Sequence, residues 1–254
     1  MVAIDVREVY KTFRIPHERH TTLTERVLSA FRPMTYERFA AVAGVSLVVE
    51  RGTFVGIIGR NGSGKSTLLK LITGLLVPDA GAVWVNGSMC ELLELGLGFS
   101  AELTVRENVS LYAALLGYPR RDRRVRIERA IAFAELGRFA DAKLKSLSTG
   151  MCLRLGFSAA VQADTDILIL DEVLAVGDAE FQRKCLGTFS RFKREGKTIV
   201  LVSHDLEQVR RFCDWVVMLD AGRVVASGRA EAMIERYLEF VGLGPPSGGA
   251  ASGC

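Results

Sequence analysis

The sequence predicts an α/β protein whose core is a mostly parallel sheet with helices on both faces. Strongly apolar runs occur at 167–170, 198–202 and 215–219, and segments with helical spacing separate them. Earlier in the chain, a short apolar strand at 53–58, a glycine-rich turn and a helical run at 66–71 follow one another. Strands that are covered on both faces have nearly continuous apolar sequences, and these runs show that pattern.

Three more strands are predicted in the first third of the chain. Residues 4–13 alternate apolar with polar side chains, as a half-buried strand does, and residues 45–49 indicate a second strand. Residues 83–85 form a short third strand, which the turn dipeptide Asn86-Gly87 ends.

Two stretches lie outside this strand pattern. From about 103 to 139 the apolar spacing becomes helical and the composition polar, so we expect a helical subdomain, about 100–160, inserted into the α/β core. Residues 242–254 consist mainly of Gly, Pro, Ser and Ala, which cannot build a packed core. We therefore expect one domain over residues 1–241, followed by a disordered tail.

The composition excludes several classes of protein. Hydrophobic residues make up 49% of the 254 residues, yet no apolar run reaches the roughly 18–20 residues that span a bilayer. Residues 1–9 alternate charged with apolar side chains and lack the apolar centre of a signal peptide. We therefore expect a soluble protein that stays in the compartment where it is made. If it works at a membrane, another protein must hold it there.

The cysteines and the net charge narrow the class further. The five cysteines are far apart and form no C-x-x-C pair, which argues against a zinc site or a disulfide framework and is typical of a reducing cytoplasm. The net charge of +4 is too mild to imply a nucleic-acid partner. The cysteines are Cys90, Cys152, Cys185, Cys213 and Cys254.

A phosphate-binding loop is the clearest functional motif. Residues 59–66 read G-R-N-G-S-G-K-S and match the pattern G-x-x-x-x-G-K-[ST]. The glycines let backbone N–H groups point at phosphate oxygens, and the helix that follows adds its positive N-terminal end. Lys65 is expected to reach the β- and γ-phosphates, and the Ser66 hydroxyl to ligate Mg²⁺. The expected nucleotide-binding residues are Gly59, Asn61, Gly62, Ser63, Gly64, Lys65, Ser66 and Thr67.

Two carboxylates end a later strand. Residues 166–172 read D-I-L-I-L-D-E. Asp171, at the carboxyl end of the strand, is placed to hold Mg²⁺ through water, and Glu172 to polarise the attacking water as a general base. Adjacent carboxylates at a strand end also occur as loop starts or helix N-caps. Downstream of a phosphate-binding loop, the catalytic interpretation is the preferred one.

A third motif lies between the other two. Residues 147–151 read L-S-T-G-M and open a predicted helix at 151–162, so a Ser hydroxyl and a helix N-terminus form a second anion site. Alone, Ser-Thr-Gly before a helix is simply a good N-cap. In this position it resembles the signature motif of ABC ATPases, whose common form reads Leu-Ser-Gly-Gly-Gln. The resemblance implies that four residues cap the γ-phosphate of an ATP held by a partner chain: Ser148, Thr149, Gly150 and Met151.

Three other positions fit the same resemblance. His204, after the strand at 198–202, is placed like the histidine of the family that contacts the γ-phosphate. Asp178 matches the Asp of the loop that carries signals across the cassette dimer, and Phe13 matches the aromatic residue that stacks on adenine, with Tyr10 as its alternative. A lone His or an aromatic at a strand end is more often structural, so these roles rest on the resemblance.

The resemblance covers about residues 4–240 and implies a P-loop NTPase of the ABC cassette type. The expected fold has a mostly parallel core sheet, an antiparallel β subdomain and the inserted helical subdomain. The resemblance implies ATP and Mg²⁺ as cofactors and a head-to-tail homodimer that encloses two ATP molecules. It also implies two copies of a membrane-spanning permease subunit and a peripheral position on the cytoplasmic face of the inner membrane.

Departures from the family pattern indicate the cargo. Where most ABC ATPases carry a Gln near Mg²⁺, residues 91–99 read E-L-L-E-L-G-L-G-F, and Glu94 is the candidate replacement and metal ligand. A carboxylate beside ATP differs electrostatically from an amide. This stretch, the Ser-Thr-Gly-Met signature and the E-V-L-A-V-G-D run at 172–178 resemble the subfamily that exports O-antigen, capsule and teichoic acid. The implied cargo is a lipid-linked glycan.

An insertion at about 14–41 sets this chain apart from most cassettes, which have a short turn there. Within it, residues 22–25 indicate a capping box and 23–31 an amphipathic helix. Such a helix would contact the membrane subunit or the cargo head group, or would pack on the edge of its own sheet.

Two further features leave alternatives open. Residues 119–129 contain six arginines, for which a solvated helix face is preferred and contact with anionic lipid head groups is the alternative. Some O-antigen exporters carry a carbohydrate-binding domain after the cassette. Either the cargo here needs no such domain, or the sequence ends before it.

Other functional classes fit less well. ABC ATPases of DNA repair or of ribosomes usually need two cassettes or a long coiled-coil insertion, and neither is evident. A small-molecule kinase would leave Ser148, Asp178 and His204 without a role. A module that binds ATP without hydrolysing it is disfavoured because Glu172 and His204 are both present.

Overall fold

A computed structural model describes residues 1–16, 36–92, 98–171 and 177–242. Its strands are β1 (Val2–Pro16), β2 (Tyr36–Glu50), β3 (Phe54–Gly59), β4 (Ala80–Val85), β5 (Met89–Leu92), β6 (Ile167–Asp171), β7 (Thr198–Val202), β8 (Trp215–Asp220) and β9 (Arg223–Arg229). Its helices are α1 (Lys65–Ile72), α2 (Val105–Leu115), α3 (Arg120–Ala134), α4 (Thr149–Val161), α5 (Ala179–Arg194), α6 (Leu206–Phe212) and α7 (Ala230–Phe240).

The central sheet has six strands in the order β5-β6-β7-β3-β8-β9. Strands β5, β6, β7, β3 and β8 are parallel, and β9 runs antiparallel to β8 at one edge. Strands β3 and β7 are buried along their whole length, as their apolar sequences require. The predicted parallel core is therefore confirmed, with one antiparallel edge strand.

Alternate side chains of the central strands enter two different cores. Leu168 and Leu170 of β6 pack with apolar residues of α4, α5, α6 and α7 on one face. Ile167 and Ile169 pack on the other face, with α1 and with the smaller antiparallel sheet β2-β1-β4. This second sheet is the antiparallel β subdomain that the family resemblance implied.

The helical subdomain has a core of its own. Apolar residues of α2, α3 and α4 pack together, with Val105, Ala130 and Leu155 almost fully buried. A capping box begins α2, because the Thr104 side chain accepts from the Glu107 N–H while the Glu107 carboxylate accepts from the Thr104 N–H. The three helices lie within the predicted span of about 100–160.

The structure extends several predicted elements and adds two. Strand β1 continues to Pro16 and β2 begins at Tyr36, so both ends of the expected insertion at 14–41 are paired strand. Strands β5 and β9 had no clear sequence signal. The expected amphipathic helix at 23–31 and the tail after Gly242 lie outside the described residues. Within the described ranges, no helix is both long and apolar enough to cross a bilayer.

Candidate nucleotide-binding site

Three neighbouring parallel strands bring the expected site residues to one edge of the central sheet. Val202 of β7 pairs with Asp171 of β6 on one side and with Ile57 of β3 on the other. These three residues therefore lie at the same level. Two residues further along, β3 reaches the phosphate-binding loop at Gly59 and β7 reaches His204, so residues far apart in sequence converge at the carboxyl edge.

The phosphate-binding loop joins β3 to α1. The Lys65 ammonium, on a largely buried side chain, donates to the backbone carbonyls of Gly59 and Arg60 at 2.8 and 3.0 Å. These bonds hold the charge inside the curve of the loop. The loop N–H groups and the N-terminus of α1 add positive potential at the same place, which fits phosphate oxygens.

The loop is pressed against two segments that the sequence did not indicate. Gly64 has φ 101° and precedes α1, and a Cβ there would lie 2.2 Å from the Ala41 carbonyl oxygen of β2. The Gly222 N–H, in the β8–β9 turn, donates to the Ser63 carbonyl at 3.0 Å, and the Ala43 N–H donates to the Gly222 carbonyl at 2.8 Å. The antiparallel sheet and the β8–β9 turn together support the loop.

A hydroxyl and a carboxylate face each other beside the loop. Ser66 Oγ donates to Asp171 Oδ2 at 3.3 Å. An alcohol and a carboxylate oxygen are ligands that suit Mg²⁺, which usually takes few protein ligands and completes its shell with water and nucleotide phosphates. Among the described residues no cluster of three or more His, Cys, Asp or Glu could hold a metal.

Phe13 lies near the end of β1, directly opposite Phe39 of β2. Both rings are partly exposed, and Phe39 is two residues from Ala41, which contacts the loop. A partly exposed aromatic here suits stacking on a base. Phe39 was missed in the sequence because its strand assignment began only at Val45.

The signature segment forms an exposed helix start. Ser148 caps α4, and its Oγ accepts from the Met151 N–H at 3.3 Å. Ser148, Thr149 and Gly150 are exposed, and a Cβ on Gly150 would meet no atom of the described residues within 4 Å. Ser148 is therefore the N-cap that Ser-Thr-Gly before a helix suggests, and its exposed position leaves room for a partner.

His204 and Asp178 both lie on exposed chain turns. His204 follows β7, and the next residue, Asp205, caps α6 by accepting from the Glu207 and Gln208 N–H groups. Asp178 caps α5 by accepting from the Phe181 and Glu180 N–H groups at 2.9 and 3.1 Å. The hydrogen bond from the Phe181 N–H is the main cause that lowers the pKa of the Asp178 carboxyl, so this residue carries a negative charge at neutral pH.

Comparison with known proteins decides the family. A family model described as "ABC transporter" matches residues 42–175, which include the phosphate-binding loop, the signature segment and Asp171. The chain belongs to the ABC transporter family. It is an ATP-binding cassette, and the predicted cassette fold and ATPase class are confirmed.

Three similar relatives are ATP-binding proteins of export systems. The O-antigen export system ATP-binding protein RfbB of Myxococcus xanthus is 44% identical, over 96% of this chain and 57% of the relative. The protein of the same name in Klebsiella pneumoniae is 43% identical, over 92% of this chain and 96% of the relative. The teichoic acids export ATP-binding protein TagH of Bacillus anthracis is 37% identical, over 93% and 42%. The chain thus spans little more than half of the Myxococcus relative, and the predicted resemblance to the polysaccharide-exporter group is confirmed.

A solved structure supports the fold and a dimeric family architecture. The dimeric, post-hydrolysis ATP-binding cassette MJ0796, bound to ADP and Pi, superposes with a TM-score of 0.72 at 25% identity. The superposition covers 89% of this chain and 98% of that one. The cassette described here therefore shares its fold with one solved as a nucleotide-bound dimer.

Two expected site residues of the cassette lie outside the described residues: Glu172, the expected general base, and Glu94, the candidate replacement for the family Gln. Glu91 is described, and it pairs in register with Ile169 of β6, on the face of the sheet that carries Asp171. Its buried Oε2 has no hydrogen-bond partner in the described part of the chain. The sequence alone gave no reason to assign a role to Glu91.

The cassette also contains an ion-pair network that sequence reasoning missed. The Arg154 guanidinium, on α4, donates to a Glu135 carboxylate oxygen at 2.5 Å and lies 3.5 Å from a carboxylate oxygen of Asp178. Its Cζ atom lies 4.7 Å from the centre of the Phe181 ring. Lys184 of α5 completes the network by donating to Glu135 at 3.1 Å. Helix α4, which begins at the signature segment, thereby contacts the turn that contains Asp178.

Proposed function

We propose that this chain is the ATP-hydrolysing subunit of an ABC transporter that exports a lipid-linked polysaccharide, of the O-antigen kind, across the inner membrane. Three relatives of export systems for surface glycans support the cargo class, one of them matched over 96% of its own length. The similarity to a teichoic acid exporter favours teichoic acid as the second candidate cargo.

The geometry of the Ser66–Asp171 pair carries the enzymatic part of the proposal. The two oxygen atoms lie 3.3 Å apart beside the phosphate-binding loop, so the Ser66 hydroxyl would ligate a Mg²⁺ ion that Asp171 would hold through water. Such an ion would supply positive charge to the β- and γ-phosphates. The Lys65 ammonium, which lies inside the loop, would bind oxygen atoms of the same two phosphates.

The remaining roles follow the family pattern. Glu172 takes a proton from the attacking water, and His204, at the end of β7, contacts the γ-phosphate. Phe13 stacks on adenine. The exposed signature residues of a second copy close the site, so the working unit is a head-to-tail homodimer. We propose that this dimer is held on the cytoplasmic face of the membrane by two copies of a permease subunit.

The enzymatic part is tested with Lys65→Ala and, as a matched control on the same helix, Lys70→Ala. Removing the ammonium from the loop takes away the charge that binds the phosphates, so we expect Lys65→Ala to lower the ATPase rate of the purified chain by at least about 100-fold. Lys70→Ala should stay within about twofold of wild type, since Lys70 lies in the last turn of α1. Equal losses in the two variants would contradict the assignment.

The cargo is tested in cells that lack the protein and are complemented with wild type or Glu172→Gln. We expect surface glycan with wild type and a lipid-linked glycan accumulating inside the cell with Glu172→Gln. Normal surface glycan in uncomplemented cells would overturn the cargo class and leave the ATPase assignment standing.

A further inference from the structure

A basic groove lies between α2 and α3 of the helical subdomain. It is open to solvent and has a volume of about 580 Å³. Its polar lining consists of Arg106, Ser110, Arg120, Arg123, Arg124 and Glu128. No residue of this groove belongs to the nucleotide-binding site.

Most acidic groups near the groove are already neutralised. Arg106 forms ion pairs with both Glu128 and Asp141, the latter at 3.2 Å. Arg123 donates to the Tyr118 carbonyl at 2.6 Å. Within the described ranges, Arg120 and Arg124 have neither an ion pair nor a side-chain hydrogen bond. Their charges therefore face open solvent in the groove.

The outer face of α3 extends the positive charge. Arg121 and Arg129 lie one turn on either side of Val125, which is 52% exposed. These three residues form a row along the helix, next to the row that contains Arg120 and Arg124. The whole helix carries six arginines against two carboxylates. The buried residues of this helix are all apolar, so none of its arginines belongs to the hydrophobic core.

We propose that this face of α3 is a docking surface for an anionic phospholipid bilayer. Guanidinium groups bind phosphate oxygens through paired N–H donors, and several of them on one helix match a surface of many phosphates better than a single small ligand. The exposed Val125, among the arginines, is apolar surface that can enter the head-group region. This inference goes beyond the proposed function and does not depend on ATP chemistry.

The test measures co-flotation of the purified full chain with lipid vesicles. One set of vesicles contains phosphatidylcholine alone, and in the other about one third of the lipid is phosphatidylglycerol. The test variant is Arg120→Gln/Arg121→Gln/Arg124→Gln, because Gln keeps helix propensity and removes charge. The matched control, Arg191→Gln/Arg194→Gln/Arg211→Gln, removes three exposed arginines from α5 and α6. Basal ATPase activity and circular dichroism verify that both variants fold.

We expect wild type and the control to bind the anionic vesicles at low salt and to bind the zwitterionic vesicles weakly. Each arginine near an anionic surface adds about fivefold to binding, so the α3 variant should lose on the order of 100-fold. Raising the salt concentration should weaken wild-type binding. Equal losses in the α3 and control variants, or no preference of wild type for anionic vesicles, would overturn the proposal. Either outcome would leave the ATPase assignment intact.

Discussion

Arg154 shows how a single side chain couples two parts of the site. Its side chain is only 17% exposed, and it contacts Glu135 at the end of α3, Asp178 at the start of α5 and the ring of Phe181. The guanidinium fork can serve two carboxylates and a ring at once, which the ammonium of a lysine cannot do. Arg154 therefore joins α4 to the end of α3 and to the start of α5.

Replacing Arg154 with Gln should lower both stability and turnover. A charged hydrogen bond to Glu135, an ion pair with Asp178 and a stacked ring are lost, so we expect the free energy of unfolding in urea to fall by about 1–3 kcal/mol. We also expect kcat of the ATPase to fall more than KM rises, since the nucleotide contacts themselves are unchanged. The control Arg183→Gln, whose side chain donates only to a carbonyl of its own helix, should stay within about 0.5 kcal/mol.

The pH dependence provides a separate check of this network. Lys184 first, and then Arg154, lower the pKa of Glu135 below its ordinary 4.5, and the Phe181 N–H lowers the pKa of Asp178 below 3.8. Because both folded-state pKa values are depressed, the stabilisation is fully present above about pH 4.5 and is lost as the pH falls through them. The stability difference between wild type and Arg154→Gln should shrink in that window. A difference that stays unchanged while the pH is lowered until both carboxyls are protonated would show that the carboxylates play no part.

At the scale of elements, the phosphate-binding loop depends on close contact with β2. A Cβ on Gly64 would collide with the Ala41 carbonyl oxygen, and the residue also needs a positive φ. Gly74 is a matched comparison, because it has φ 77° and a Cβ there would meet no atom within 4 Å. Comparing alanine substitutions at the two positions therefore separates the cost of backbone strain from the cost of the steric collision.

We expect Gly74→Ala to cost about 1–2 kcal/mol from the left-handed backbone alone and to leave the Kd for ATP unchanged. Gly64→Ala adds a collision with backbone, so it should displace the loop and raise the Kd for ATP by at least about tenfold. Fluorescent-nucleotide titration and urea unfolding measure the two effects. If Gly64→Ala bound ATP like wild type, the contact with Ala41 would not be what holds the loop.

The buried elements were the ones that the sequence could predict. Strand β7 was expected at 198–202 and has those bounds, because four consecutive apolar side chains follow Thr198 and the whole strand is buried. Strand β9 alternates exposed and half-buried residues and contains a glycine, and β5 has only four residues, so neither gave a clear pattern. The extra length of β1 and β2 consists mostly of exposed residues, some of them apolar like Ile15 and Phe39, so no regular alternation marks it as strand.

The site was predictable where one short segment contains all of its chemistry. Residues 59–66 and Asp171 could be identified because spacing along the chain determines their roles. The supports of the loop could not, since Ala41 and Gly222 reach it only through the fold. Arg154 and its partners Glu135 and Asp178 come from three different helices or loops, so no local pattern joins them.

At the scale of the whole molecule, the proposed homodimer requires each cassette to present two halves of a nucleotide site. The phosphate-binding loop and Asp171 lie at the edge of the central sheet. Ser148 and Gly150 are exposed at the start of α4, and a Cβ on Gly150 would have no atom of the described residues within 4 Å. An exposed helix N-terminus with its cap is suited to an anion that another molecule brings. A homodimer related by twofold symmetry would join each half to the complementary half of its partner.

This composite arrangement can be tested by mixing two inactive chains. Lys65→Ala removes the loop half, and Ser148→Arg blocks the signature half, so a homodimer of either variant has no complete site. A mixed dimer has one, formed by the loop of the Ser148→Arg chain and the signature of the Lys65→Ala chain. At equal amounts half of the dimers are mixed and each has one of two sites, so ATPase activity should return to roughly one quarter of wild type. If each chain used its own signature, both variants would stay inactive after mixing, and the head-to-tail dimer would be wrong.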